Sequence, residues 1–180
     1  MPIPLTTPAE LKDMARSMTT QFGSPRKLKG ALIPTGMDYA VNIRIPVVTD
    51  TLDSSWFRTW IGASAETADP KFHMAVVTLR EGTSTTAEVA IAIIHVDQSD
   101  AGEHPLNLCV KGHFDDGGEA WYGNIVLLEF DIQASGIKSI NANHGDLASQ
   151  CLEQFLTDYW KAKRDGTDLT TAVGGRLGSI

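Results

Sequence analysis

Apolar and polar positions alternate most cleanly over residues 39–47. Tyr39, Val41, Ile43, Ile45 and Val47 fall on one face, with Asn42 and Arg44 on the other. Side chains two apart share a face of a strand, so this pattern predicts a half-buried strand. Pro46 has no N–H to give a ladder, which puts the strand at a sheet edge or at a bulge. Two more strands are predicted at about 72–80 and 87–97. In the second, Val89 to Ile94 is apolar at every position, as expected of a strand covered on both faces.

The strongest patterning runs from Leu106 to Ile132. Two runs of β-formers flank Asp115, Asp116, Gly117, Gly118 and Glu119, and a Gly-Gly pair between such runs signals a hairpin turn. With Gly117 and Gly118 at the turn, Phe114 faces Trp121, Gly112 faces Gly123, Val110 faces Ile125 and Leu108 faces Leu127. That register sets apolar against apolar on one face, which a one-residue slip would forfeit.

Helical spacing marks three other stretches. Thr7, Pro8 and Glu10 make a capped helix start, followed by Leu11, Met14, Ala15, Met18 and Phe22 and stopped by Gly23 and Pro25. Leu52, Trp56, Phe57, Trp60 and Ile61 fit a short helix capped by Asp53 or Ser54. Its two tryptophans read first as a buried stripe, and otherwise as an interface anchor or as a ligand-stacking pair that lids the sheet. A long helix begins between Asn143 and Asp146, with Leu147, Cys151, Leu152, Phe155, Leu156, Tyr159 and Trp160 as its apolar stripe. Cations from Lys161 to Arg164 suit its carboxyl end. Residues 24–37, 62–70 and 134–143 read as loops, and 165–180 as a flexible Gly- and Thr-rich tail.

The order is helix, strand, helix, four consecutive strands, helix. It predicts one α+β domain over residues 1–164. An antiparallel sheet of about five strands, the last four a meander, is backed on one face by the three helices. Length and an apolar content of 42% suit a single well-filled core.

Charge changes the picture in one respect. The net charge is −7, and it is concentrated in residues 46–135, which hold four basic and fourteen acidic residues. Residues 1–45 hold six basic and three acidic, with Arg26, Lys27 and Lys29 together. An acidic sheet repels phosphate backbones, so nucleic acid is not expected across it. The first residues have no basic, then apolar, export pattern, and the longest apolar run is too short to span a bilayer. A soluble, cytoplasmic chain is expected, with Cys109 and Cys151 as reduced thiols.

The candidate chemistry rests on histidine. Three of the five histidines open a His-x-Asp triplet: His95 with Asp97, His113 with Asp115, and His144 with Asp146. Random placement predicts fewer than one. In the expected meander, His73, His95, Asp97, His104, Asp131 and His144 gather at one end of the sheet. His95, Asp97 and His144 would then supply two imidazoles and a carboxylate to a divalent Fe, Mn or Zn ion. Their spacing is similar to the HxD…H pattern of the 2-oxoglutarate-dependent oxygenases. The likeness covers these three residues. That family folds as a double-stranded barrel of about eight strands, against five expected here. As an alternative, the aspartates are turn and cap residues. No nucleophile elbow, P-loop, dinucleotide fingerprint or CxxC pair is present in the sequence.

The leading expectation is a non-enzymatic interaction or assembly protein, homo-oligomeric, with a protein partner or itself as its target. The alternatives are a metal-dependent enzyme using His95, Asp97 and His144, and a binder of small apolar ligands.

Overall fold

A computed structural model describes residues 26–47, 60–61, 71–81, 85–114, 120–134 and 136–167, together with Ala9. The helix expected from Thr7 lies outside them, as do Leu52 to Phe57 of the short helix and residues 168–180 of the tail.

Among the described residues six strands form one sheet: β1 (Arg26–Ile33), β2 (Val41–Val47), β3 (Lys71–Glu81), β4 (Thr85–His95), β5 (Ile125–Asp131) and β6 (Gly136–Lys138). The order is β2-β1-β5-β4-β3, with β6 also on β5, and every pairing is antiparallel. Two hairpins, β1–β2 and β3–β4, are joined because β5 inserts between β1 and β4. Beside β5, β1 takes Ile125 to Leu127 and β6 takes Glu129 to Asp131. Two helices are described in full, α1 (Leu108–Phe114) and α2 (Gly145–Asp165). The protein is α+β, an antiparallel sheet packed by a long C-terminal helix. Among the described residues no helix is long and apolar enough to cross a membrane.

Period-two burial explains where the sheet sits. Ile43 and Ile45 are buried while Asn42 and Arg44 are exposed, and β2 lies at the edge, as Pro46 requires. In β4, Val89, Ile91 and Ile93 join one apolar cluster, and Ala92 and Ile94 join another on the opposite face. The first cluster holds α2 through Leu147, Cys151, Leu152, Phe155, Leu156 and Tyr159. The second holds Trp60 and Ile61, both helical in conformation. The sheet is therefore covered on both faces, not on one. A strand apolar at every position needs two covers, and β4 has them.

Three further expectations need correction. Residues 26–33 are a strand, not a loop: Leu28, Gly30 and Leu32 are buried and Lys27 and Lys29 are exposed. Gly30 lets two backbones approach, since a Cβ there would lie 2.9 Å from the Leu127 carbonyl oxygen. Residues 136–138 are likewise a short strand rather than part of a loop.

The third correction matters most. Residues 108–114 are the helix α1, not the first arm of a hairpin. Asn107 starts it: its Oδ1 accepts from the Val110 N–H at 2.9 Å and its carbonyl accepts from the Lys111 N–H at 3.1 Å. That is an asparagine N-cap satisfying a donor the helix would leave orphaned. Of the expected hairpin, one bridge between Leu106 and Tyr122 remains among the described residues, in a different register. Removing one strand from a meander reverses the direction of the next. β5 thus pairs directly with β4, and its carboxyl end lies at the far end of the sheet from His95.

Candidate functional site

The odd-numbered residues of β3 and β4 face α2, which places two histidines against that helix. His73 pairs in register with Ile93, and Lys71 pairs with His95, so the imidazoles are diagonal neighbours. Their rings stack at 5.0 Å with an interplanar angle of 4°. Trp121 meets His95 edge-on at 4.9 Å, Phe155 of α2 lies 4.8 Å from His73, and Tyr159 lies 6.5 Å from His95. His95 is 2% exposed and His73 is half-buried.

The protonation of His95 follows from its neighbours. Its Nδ1 is within hydrogen-bond distance of the Val96 carbonyl. A carbonyl only accepts, so Nδ1 carries the proton and donates. Nε2 then keeps its lone pair, buried and without a hydrogen-bond partner among the described residues. Burial above all, then the neighbouring His73, pushes the imidazole down to about 3, while the bond to Val96 pulls weakly the other way. Burial also lowers His73, with help from the Lys71 charge. Near neutral pH the two rings are uncharged members of an aromatic layer. A proton carrier works best with its pKa near the operating pH, and His95 is far from that.

Asp97 has a different task. Its Oδ1 accepts from the Ser99 N–H at 3.0 Å, and its carboxylate meets Lys71 Nζ at 3.1 Å. Burial alone would raise this carboxyl. The Ser99 bonds and Lys71 outweigh burial and hold it below the ordinary range. It is a turn residue, the alternative reading for this aspartate.

His144 lies elsewhere. Its Nδ1 meets Glu129 Oε2 at 3.0 Å, and Glu129 also receives Lys138 Nζ at 3.2 Å and the Asn141 N–H at 3.1 Å. Glu129 is 4% exposed. Burial pushes its carboxyl up, but the bonds from His144, Asn141 and Lys138 more than offset that and hold it low. This cluster ties β5 and β6 to the start of α2. His95 pairs in register with Ile125. Glu129 lies four residues further along β5, about 13 Å away at the usual rise of a strand.

The structure therefore keeps His73, His95 and Asp97 at one end of the sheet and places His144 at the other. The three residues expected to hold a divalent Fe, Mn or Zn ion do not converge, because β5 runs opposite to the expected direction. Among the described residues no group of three or more His, Cys, Asp or Glu is arranged to hold a metal ion. Asp131 caps the turn into β6 through the Gln133 and Ala134 N–H groups, both at 3.0 Å. Asp146 sits in the first turn of α2. Asp115 and the side chain of His113 lie outside the described residues.

Two asparagines and one glutamate that no sequence motif marks organise this region. Asn107 is fully buried and, besides capping α1, donates from Nδ2 to the carbonyls of Ile33 at 3.0 Å and Gly123 at 2.9 Å. Asn124 accepts from the Thr35 N–H at 2.8 Å and donates to the Trp60 carbonyl at 2.9 Å. Together they fix the ends of β1 and β5 and the segment bearing Trp60. Gly123 between them has φ 78°, and a Cβ there would come within 2.7 Å of Val96 Cγ2. Of the tryptophan pair considered as a ligand lid, Trp60 is 1% exposed within the second cluster and Trp56 is outside the described residues.

Cys109 and Cys151 are free and buried, and burial raises each to about 11. A thiol so raised is a poor nucleophile, because the thiolate is the reactive form. Compared with protein families, with curated proteins and with solved structures, the chain matches none.

Proposed function

We propose that this chain is a non-enzymatic assembly protein that associates with further copies of itself. The observation that carries this reading is β3. It is eleven residues long and ends the sheet order, with β4 on one side and no strand on the other among the described residues. From Phe72 to Leu79 it has no Asp, Glu, Lys or Arg. Met74, near its middle, is 43% exposed.

An edge strand presents unpaired N–H and C=O groups to any chain that can pair with them. Proteins that stay apart blunt such edges with short strands, charge or proline. The opposite edge is blunted in this way. β2 has seven residues and carries Arg44 and Pro46. β3 carries its charges, Lys71, Arg80 and Glu81, at its two ends and has neither charge nor proline from Phe72 to Leu79. The reactive side-chain types support the same reading from the other direction. His95 is a neutral part of the core, Asp97 and Glu129 are paired, and both thiols are raised by burial.

Size-exclusion chromatography with light scattering tests the proposal. The expected mass is that of two or more chains at micromolar concentration. A single-chain mass at every concentration tried would overturn it.

A further inference from the structure

We infer that β3 pairs with β3 of a second copy, antiparallel, about a two-fold axis at Val76; this rests on the assembly reading above. A closed dimer uses the same patch twice, so that patch must be complementary to itself. An axis normal to the sheet keeps every residue on its own face, and so joins residues of like parity. Among such registers, the one through Val76 alone uses all eleven residues. It sets Lys71, which also meets Asp97 of its own chain, level with Glu81 of the other copy at both ends, so that opposite rather than like charges fall at matching positions. Slipping the axis to Ala75 or Val77 forfeits both charge pairings and shortens the ladder.

The apolar pattern agrees with the charges. In this register Ala75 faces Val77 and Val76 faces itself, while Met74 faces Thr78 across the join. Met74 is the most exposed large apolar side chain of β3, and the pairing covers it. The sheet then runs continuously through both copies, each α2 lying on the same face. The pairing gives partners to outer backbone groups along β3 that no strand among the described residues takes.

Disulfide trapping reads the register directly. Val76→Cys places two thiols opposite each other, at a Cα separation within reach of a disulfide in either kind of antiparallel pair. Mild air oxidation is expected to convert most of this variant to a covalent dimer on a non-reducing gel. Lys163→Cys, on the exposed side of α2, is expected to stay single. Cys109 and Cys151 are buried and do not compete. As a second reading, Met74→Cys and Thr78→Cys should each link poorly alone and link well when mixed. If Val76→Cys and the mixed pair link no better than Lys163→Cys while light scattering still gives a multimer, this interface is wrong and the assembly reading stands. If light scattering gives a single chain throughout, both fall.

Discussion

Asn107→Leu is expected to lower the unfolding free energy by about 3 kcal/mol or more, since each orphaned buried group costs roughly 1–3 kcal/mol. Leucine keeps the branching and heavy-atom count of asparagine and is the bulkier of the two, so no cavity opens; crowding at a site with no exposed surface adds to the loss rather than offsetting it. The asparagine serves three backbone groups at once: the carbonyls of Ile33 and Gly123 and the N–H of Val110. All lie in a region where Asn107 itself has no exposed surface, so water cannot replace the lost partners. The three groups belong to β1, to the approach to β5 and to α1, so the substitution loosens the junction of all three. Urea unfolding followed by circular dichroism measures it, as a fall in midpoint at unchanged slope. A loss under about 1 kcal/mol, the net worth of a single ordinary hydrogen bond, would contradict this geometry.

Acid is expected to destabilise the protein well before its carboxylates titrate. The His95 imidazole has a folded pKa of about 3 against an ordinary value of 6.5. The folded state thus binds its proton less readily than the unfolded chain. Its contribution is complete above pH 6.5 and is lost as pH falls from there towards 3. Each proton taken up only by the unfolded chain costs roughly 1.4 kcal/mol per pH unit. His73 is lowered too and adds to the slope in the same direction. The lowered carboxyls of Glu129, Asp97 and Asp131 have ordinary values of 4.5, 3.8 and 3.8. Their stabilisation is present above those values and is lost below them, so these carboxyls leave the window from 6.5 to 4.5 to the histidines. Urea unfolding at half-unit steps across that window should show stability falling with pH. The slope should flatten in His95→Phe, which keeps a packed ring and removes the titration. A level profile for the parent protein between pH 6.5 and 4.5 would contradict a buried, neutral His95.

Elements with a regular period were legible and those held by a single contact were not. β2, β3, β4 and α2 follow from alternation or helical spacing because each buries a continuous face. β1 alternates too, but Lys27, Lys29 and Gly30 resemble loop punctuation. Its burial depends on Gly30 admitting the Leu127 backbone, a contact 97 residues away in sequence. In α1 the residues Leu108, Cys109 and Val110 are acceptable in a strand. What makes them helical is Asn107, whose side chain finds partners brought there by β1 and Gly123. Local preference loses to that tertiary demand.

One misread element then displaced the site. With α1 in place of a strand, β5 reverses, and His144 and Asp131 move to the opposite end of the sheet from His95. The His-x-Asp recurrence was visible, but its aspartates found turn and helix-start positions. Asp97 supports Ser99, and Asp146 lies in the first turn of α2. Glu129 did leave a signal. It is the lone charge in the run from Ile125 to Phe130, and a buried charge demands partners. The sequence could not say that those partners would be His144 and Lys138.

Hydrogen exchange along β3, read amide by amide at rising protein concentration, decides whether this edge is a working surface. Every second amide of an edge strand points away from its neighbour. At the highest concentration, all β3 amides from Phe72 to Arg80 should be protected, with the outward set losing protection on dilution or in a variant that cannot dimerise. Outward amides that exchange as fast as unstructured chain at the highest concentration would show that nothing pairs with this strand.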